Sequence, residues 1–491
     1  MTISFFFYDL ETSGIGPRTS RIMQFAGQRT DMNLQPVGEP VNRLIKLSDD
    51  ILPDPDAVLI TGITPQQTIQ DGETEAEFLK YFTDEIAVPG TIFVGYNTIR
   101  FDDEFMRFLH YRNFYDPYEW QWADSRSKWD LLDVVRMTRA LRPEGIEWPF
   151  APDGAPSNRL ELLTKVNGLD HTKAHDALND VYATIAVARL IRGKQPKLFD
   201  YLVNIRDKKA VAQVVESGDP FVYSSGRYAS ESHKTTVVAT LGAHPTKSGS
   251  SLVYDLRYDP LEWANVSVAE LADRIRYTRD QSAGQRSAAR LPVKPLQYNH
   301  CPAIAPLGVV NEASQKHIGL DLATIKKNFA TLKSLDGFMQ KVQEAFALID
   351  KERQTEFLGK QGQLDADEAL YDGFIDNADK QLLQVVRAAD TSEIAELSDK
   401  FHDGRLRELL PRYKARNYPA SLTDEERQAW EAHRAKALFS GGNNSKLAKF
   451  FARLGELAQQ PGLTQSQQYL LEELQLYGQS IMPSEFDQGE G

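Results

Sequence analysis

The chain has 491 residues, with 56 Lys and Arg against 69 Asp and Glu, a formal net charge of −13 and one cysteine, Cys301. That length predicts two to four domains, and a lone cysteine excludes a disulfide framework or a paired-cysteine zinc site. The net charge argues against coating nucleic acid through bulk electrostatics, but leaves room for a local basic groove.

The N-terminal apolar run, Ile3 to Tyr8, has no basic flank and stops at Asp9. It is too short for a signal peptide or a membrane span, and no other stretch approaches about 18 apolar residues. The expectation is a cytoplasmic protein with no membrane attachment. Ser4–Leu10, Ile22–Arg29 and Val41–Leu47 read as strands, Glu73–Ile86 as a helix and Thr91–Tyr96 as a further strand. Helical spacing follows at Asp103–Tyr111, Leu131–Leu141, Arg159–Val166 and Ala177–Ile191. Strands first in succession and then alternating with helices predict a mixed α/β sheet covered by helices. Gly193 and Pro196 mark an edge, giving a first domain over 1–195.

Residues 196–350 switch to short β-rich runs (Phe221–Tyr228, Thr235–Leu241, Ser251–Leu256) between Gly, Ser and Pro turns, as in a small barrel or sandwich with added helices. Leu322–Ile349 reads helical with a break near Asp336-Gly337. The polar stretch 351–367, with two glycines, suits a linker. Only helical patterns occupy 368–482, including Glu425–Ala437, Lys446–Leu457 and Gln465–Leu476; 483–491 reads as a disordered tail.

The chemistry concentrates in four acids and one histidine. In a strand, residues i and i+2 share a face, so Asp9-Leu10-Glu11 presents two carboxylates together at a strand end. Asp102 falls at a helix entrance, where its alternative role is an N-cap; Asp103 and Glu104 read as first-turn acids favoured by the helix dipole. In His175-Asp176-Ala177-Leu178-Asn179-Asp180, spacing permits His175 and Asp180 to face one cleft. His171 and His175 imitate a metal pair, but no third His or Cys ligand supports zinc. Hard carboxylate oxygens suit magnesium. Two such ions about 4 Å apart clamp the attacking and leaving oxygens of a phosphoryl transfer. A histidine of near-neutral pKa can deprotonate the attacking water.

Asp9-Leu10-Glu11-Thr12, Phe101-Asp102 and His175-x4-Asp180 resemble the three motifs of the DEDD 3′→5′ exonuclease superfamily, in its histidine-containing branch. The middle motif departs from the common pattern, with Tyr96 where many members have His and one additional residue before Phe101. Longer stretches are similar to the bacterial exodeoxyribonuclease I family: Leu59-Ile60-Thr61-Gly62-Ile63-Thr64-Pro65-Gln66, Tyr111-Arg112-Asn113-Phe114-Tyr115-Asp116-Pro117-Tyr118 and Trp129-Asp130-Leu131-Leu132-Asp133-Val134. The likeness thins after about residue 205. It resumes at Leu370-Tyr371-Asp372-Gly373-Phe374 and Tyr413-Lys414-Ala415-Arg416-Asn417-Tyr418-Pro419.

The resemblance implies a ribonuclease-H-like α/β exonuclease domain, an SH3-like β-barrel and an all-α C-terminal domain. It also implies a Mg²⁺-dependent enzyme of DNA repair and recombination, acting as a monomer. Such an enzyme degrades single-stranded DNA 3′→5′ to 5′-mononucleotides. Two Mg²⁺, replaceable by Mn²⁺, would sit on Asp9, Glu11, Asp102 and Asp180, with His175 as general base. Two alternatives use the same residues: an inactive single-stranded-DNA-binding scaffold, and the same chemistry on RNA ends or in proofreading. The presence of all five catalytic identities argues against the first. Two additional domains suit a self-contained enzyme holding a long strand better than the second.

Residues 101–130 hold ten aromatics, against 6 Trp, 19 Tyr and 24 Phe in the whole chain. Aromatic faces stack on unpaired bases without regard to sequence, and Arg107, Arg112, Arg126, Lys128 and Arg136 are interleaved to track phosphates. Phe101, Phe105, Phe108 and Trp129 are the expected core members. By resemblance, Arg107, Tyr118, Trp122, Arg136 and Arg159 face the strand beside Glu11. Tyr413-Lys414-Ala415-Arg416 is a candidate that is equally well structural. The resemblance also implies a protein partner, the acidic C-terminal tail of single-stranded-DNA-binding protein. Arg142 would take its terminal carboxylate and Tyr201 would line an adjacent apolar pocket.

Overall fold

The structure is a computed structural model that describes residues 3–169, 176–276, 290–360 and 364–482. It divides into two compact units, one drawn from 3–126, 176–182 and 364–482, the other from 127–169, 183–276 and 290–360.

In the first unit, β1 (Ser4–Thr12), β2 (Ile22–Thr30), β3 (Val41–Leu44) and β4 (Thr91–Gly95) lie in the order β3-β2-β1-β4. β1 is antiparallel to β2 and parallel to β4, in registers that set Glu11 opposite Gln24 and Phe7 opposite Val94. Alternation divides β1 between two faces. Phe6, Tyr8 and Leu10 enter a core with Phe25, Phe78, Phe82, Phe93 and Trp120. Asp9 and Glu11 belong to the opposite face. A strand covered on both sides reads as a nearly continuous apolar run, which explains Phe5-Phe6-Phe7-Tyr8.

β4 ends at Gly95, where a Cβ would meet Thr98 Cγ2 at 1.9 Å, so only glycine lets the chain turn this tightly. Asn97 then takes a left-handed conformation (φ 72°) and leads through a 3₁₀ turn into the helix Asp102–Arg112. That helix is held from behind by the C-terminal helical segment: Phe108, Tyr111 and Phe114 share a core with Leu370, Phe401, Leu406, Leu410 and Tyr413. Two short helices absent from the sequence reading, Pro55–Thr61 and Pro65–Asp71, start on the caps Asp54 and Thr64. The helix expected over Glu73–Ile86 is α-helical over Glu75–Tyr81 and closes with a π turn, Phe82–Ile86.

The second unit carries a five-stranded antiparallel sheet. Its order is Ala303–Pro306, Phe221–Ser224, Thr235–Ala243, Ser250–Asp255, Val293–Gln297. The helix Leu131–Leu141 spans its expected range, and Leu322–Ser334 and Phe338–Lys360 flank the expected break at Asp336-Gly337. The segment expected as a linker from Lys351 is helical as far as Lys360. Lys, Glu, Arg and Gln propagate a helix well, and Gly359 falls in its last turn. The tail 483–491 lies outside the described residues. No helix among the described residues is long and apolar enough to cross a membrane.

Candidate active site

β1 delivers Asp9 and Glu11, and the helix Ala177–Lys194 delivers Asp180 from its first turn. The side-chain oxygens of these three acids lie within 4.8 Å of one another. Asp102 completes the group from the first turn of its own helix, buried and close enough to push the Asp9 carboxyl up. The N-cap position there belongs to Phe101, which makes no side-chain capping bond, so Asp102 does not serve as the cap. Glu11 is 8% exposed.

Among the described residues the electrostatics of Asp9 and Glu11 are one-sided. Burial raises the Asp9 pKa well above the carboxylate range, and Asp102, Asp180 and Glu11 raise it further. Glu11 is pushed up to about 8 by burial, then by Asp180 and Asp176. Among the described residues every effect on these two groups disfavours their charge. Carboxylates this close and this dry ionise together only when an external cation compensates them. Hard oxygens converging on one point are the donor set of a divalent ion such as Mg²⁺, and the site therefore fits one.

Asp176 was not among the sequence candidates. Its Oδ1 accepts the Leu178 amide at 3.1 Å, and its carbonyl accepts the Asp180 amide at 3.1 Å, fixing the turn that presents Asp180. It also lines an open, largely polar groove with Gln24, Asn42, Arg43 and Tyr81. His175 and His171 lie outside the described residues.

Asp103 lies in the first turn of its helix, as expected. It is also buried and accepts the Tyr8 hydroxyl at 2.7 Å. Burial and the two neighbouring aspartates hold the Tyr8 phenol well above its ordinary pKa, so it remains a donor. The bond ties the helix carrying Asp102 to the strand carrying Asp9.

A second cluster, Asp376, Asp379 and His402, also brings ligand atoms within 4.8 Å. There, however, Asp379 is occupied by the amides of His402 (2.9 Å) and Asp403 (2.8 Å), and Asp376 caps a helix by accepting the Asp379 amide. Those bonds account for the cluster as local structure.

The aromatic segment divides cleanly. Trp120 is buried edge-on to Phe93 and Tyr8. Tyr118 is 38% and Trp122 65% exposed. Arg107 pairs with Glu104 and lies 5.4 Å from the Tyr118 ring centre. Two of the interleaved cations are committed elsewhere. Arg112 is buried near Glu75, and Arg126 donates to the Ala87 carbonyl at 2.6 Å. In the second unit, Arg136 pairs with Asp133 and the exposed Arg159 pairs with Glu161. Arg142 donates to the carbonyls of Leu141 and Val309, and the Tyr201 hydroxyl is buried without a hydrogen-bond partner. Trp129 packs edge-on against Phe199, as expected of core. Tyr413-Lys414-Ala415-Arg416 is structural: Tyr413 is core, Lys414 pairs with Glu426, and Arg416 is buried between Asp50 and Asp367.

Three family models match the chain: Exonuclease over 6–188, Exonuclease I SH3-like domain over 206–348, and Exonuclease I C-terminal domain over 364–481. The exodeoxyribonuclease I of Haemophilus influenzae is 38% identical over 484 residues, covering 98% of this chain and 99% of that one. Two solved structures each cover 98% of this chain and 100% of their own at 36% identity. One is the zinc-bound Escherichia coli exonuclease I complex with single-stranded DNA, at a TM-score of 0.88. The other is exonuclease I with SSB and the inhibitor CFAM, at a TM-score of 0.86.

Proposed function

The chain belongs to the exonuclease I family of exodeoxyribonucleases, and on that footing we propose that it removes nucleotides from the 3′ end of single-stranded DNA and releases 5′-mononucleotides. The observation that carries this reading is the convergence of Asp9, Glu11 and Asp180, with Asp102 beside them, where burial and the neighbouring carboxylates raise the pKa values of Asp9 and Glu11. The reaction depends on divalent metal; Asp9, Glu11, Asp102 and Asp180 would hold two Mg²⁺, with Mn²⁺ as a substitute. Bound there, the ions supply Lewis-acid stabilisation of the attacking and leaving oxygens.

The chain's own residues do the rest. His175, two residues ahead in sequence of the helix that presents Asp180, takes the proton from the attacking water as it adds to phosphorus. The ester bond to the 3′ oxygen of the preceding sugar then breaks, and that oxygen leaves and takes its proton from solvent water. Tyr118 and Trp122 offer ring faces to unpaired bases, while Arg107, Arg136 and Arg159 meet phosphates. Glu11 also borders the terminal nucleotide. We assign 1–195 to the exonuclease domain, 196–350 to the barrel domain and 368–482 to the helical domain. The enzyme works as a cytoplasmic monomer in DNA repair and recombination.

The test is a time course on end-labelled single-stranded DNA, blunt duplex and single-stranded RNA, with Mg²⁺ and with EDTA. The expected outcome is 5′-mononucleotide release from single-stranded DNA alone, ended by EDTA. Equal rates on blunt duplex, or turnover in EDTA, would overturn it. His175→Ala lowers the rate by about 10²–10⁴-fold, as expected for a positioned acid–base group; a loss below tenfold with chemistry rate-limiting removes His175 from that role.

The protein partner is the acidic tail of single-stranded-DNA-binding protein, met by Arg142 and Tyr201. Arg142→Ala should slow digestion of DNA coated with that protein and spare naked DNA. An equal loss on both would place Arg142 in the fold or the DNA path.

A further inference from the structure

The ladder between β1 and β2 breaks beside a metal-site carboxylate. Its register runs unbroken from Phe5 opposite Thr30 to Glu11 opposite Gln24; Thr12 then stands opposite Ile22, so Met23 of β2 is extra. A bulge of this kind bends the strand and re-aims a side chain, and it interrupts the pairing that would otherwise fix the strand end. The strand end that carries Glu11 is fixed instead by Ser13 and Arg21, both buried. The Ser13 amide donates to the Arg21 carbonyl at 2.8 Å, and the Arg21 amide donates to Ser13 Oγ at 2.8 Å. The Ser13 carbonyl accepts the Asp54 amide at 2.7 Å. The loop between them closes tightly: a Cβ on Gly14 would meet Ser20 Oγ at 2.7 Å.

The Arg21 side chain ties this loop to two other parts of the first unit. Its Nη1 donates to the carbonyls of Thr19 (3.4 Å) and Ser20 (3.2 Å), inside the loop. Its Nη2 lies 3.6 Å from Asp367 in the C-terminal segment, and its Nε lies 4.0 Å from Glu75 at the start of the helix Glu75–Tyr81. Two more arginines fasten the same loop. Arg112 donates to the Pro17 carbonyl at 3.5 Å, and Arg18 donates to the Glu368 carbonyl at 3.3 Å, 350 residues further along the chain. The anchors are themselves held: Asp367 by Arg412 and Arg416, Glu75 by the Asn113 side-chain amide at 2.7 Å.

We propose that Arg21 is a positioning residue for Glu11: the hold of Asp367 and Glu75 on its guanidinium passes through Ser13 to the bulge, and keeps the Glu11 carboxylate beside Asp9 and Asp180 for a divalent ion. The inference rests on the metal-dependent reading above. Asp180 raises the Glu11 pKa, so the two carboxylates repel when both are charged. A strand end free to relax would let them part, and an arriving ion would first have to restore the geometry; a ligand set held in place by its surroundings avoids that cost. Arg21 acts through Ser13 and leaves the chemistry to the acids. The C-terminal segment, through Asp367 and Glu368, thereby becomes part of the support of the metal site.

The experiment titrates Mn²⁺ calorimetrically into the full chain without DNA, with Asp180→Asn as the reference that lacks the binding, and records melting in EDTA alongside. It compares wild type, Arg21→Gln, Ser13→Ala and Arg412→Gln. Arg21→Gln should bind Mn²⁺ about tenfold more weakly, the lower end of what residues supporting a metal ligand contribute. Ser13→Ala keeps the ion pairs of Arg21 and removes only the hydroxyl that accepts its amide. It should weaken Mn²⁺ in the same direction, and it carries the test if Arg21→Gln does not fold. Arg412→Gln controls for loosening alone. It strips another cation from Asp367, and its ion pairs go to Asp365, Asp367 and Glu408. It should melt lower than wild type and bind Mn²⁺ within twofold of it. If wild type binds Mn²⁺ and either Arg21→Gln or Ser13→Ala folds and stays within twofold, this inference falls and the functional reading stands. An Arg412→Gln protein that loses as much affinity as Arg21→Gln also overturns it, because loosening would then explain both. If wild type binds no more Mn²⁺ than Asp180→Asn, the metal reading and this inference fall together.

Discussion

Two buried groups of acids in the first unit have opposite fates. Asp50 and Asp367 are as deeply buried as the acids around Asp9, and burial alone would push their carboxyls up. Both are instead held well below the ordinary carboxylate range, because Arg416 lies between them. Its nitrogens reach Asp50 at 2.6 Å and Asp367 at 2.6 and 2.8 Å, and Arg412 adds a contact to Asp367 at 2.8 Å. Around Asp9 and Glu11 the near neighbours among the described residues include further carboxylates, and the shift runs the other way. Carboxylates in the two clusters thus shift in opposite directions according to the neighbours they have. In the first cluster an arginine of the chain supplies the compensating cation; the second fits a divalent ion in that role.

The largest effects come from breaking each cluster. Asp180→Asn removes one of three convergent ligands and should abolish turnover. In EDTA the same variant should melt higher than wild type, because a charge repelling both Asp9 and Glu11 is gone. A lower melting temperature in EDTA would show that Asp180 is a structural partner and not a held-apart ligand. Arg416→Met inverts the pattern. It leaves Asp50 and Asp367 buried without their cation, a change that costs about 3–5 kcal/mol. Urea unfolding checks this, and a loss below about 1 kcal/mol would mean that Arg412, Arg21 (3.6 Å from Asp367) and His433 (3.8 Å from Asp50) suffice.

pH sharpens the contrast. In the metal-free fold Glu11 holds its proton up to about pH 8, whereas the unfolded chain releases it near 4.5. Between those values the folded state binds more protons than the unfolded state, so stability falls as pH rises. Asp50 and Asp367 act at the other end: their lowered values add stability above pH 3.8 that is lost as pH falls below it. In EDTA, melting temperature should therefore peak near pH 5 and decline toward pH 8. Glu11→Gln should flatten the upper arm and leave the acid arm alone. Added Mg²⁺ should raise the melting temperature more at pH 8 than at pH 5, because it competes with that proton. An upper arm identical in Glu11→Gln and wild type would assign it to other groups.

The parts of this design that were legible in the sequence are those fixed by short-range geometry. Strand alternation places Asp9 and Glu11 on one face, and helical spacing sets Asp180 in a first turn. The missed parts depend on residues far apart in the chain or on ambiguous local signals. The helices that start at Pro55 and Pro65 carry a proline at the first helical position, after a capping residue, where proline is favoured. Val293–Gln297 and Ala303–Pro306 hide as strands because Pro295 and Pro306 interrupt them; they are the two outermost strands, where proline is tolerated. Arg112 had the composition of a phosphate ligand, and only the packing of the helical segment shows it buried.

The smallest expected effect concerns Tyr8, whose partner Asp103 is 95 residues away. Tyr8→Phe keeps the ring that stacks on Phe25 and meets Phe93 and Trp120 edge-on, so the core is conserved. What it removes is a hydroxyl that ties β1 to the first turn of the helix that carries Asp102. Asp103 is then left buried with one donor fewer, which costs about 1–3 kcal/mol. Its neighbour Asp102 is no longer held at a fixed distance from Asp9. Because the bond acts through the placement of Asp102, the variant should need more Mg²⁺ to reach half-maximal rate and recover most of its rate when metal is saturating. Binding of single-stranded DNA in EDTA should be unchanged. A titration in which Tyr8→Phe matches wild type at every Mg²⁺ concentration would confine the hydroxyl to stability alone, and a defect that saturating metal leaves intact would put Asp103 itself in the chemistry.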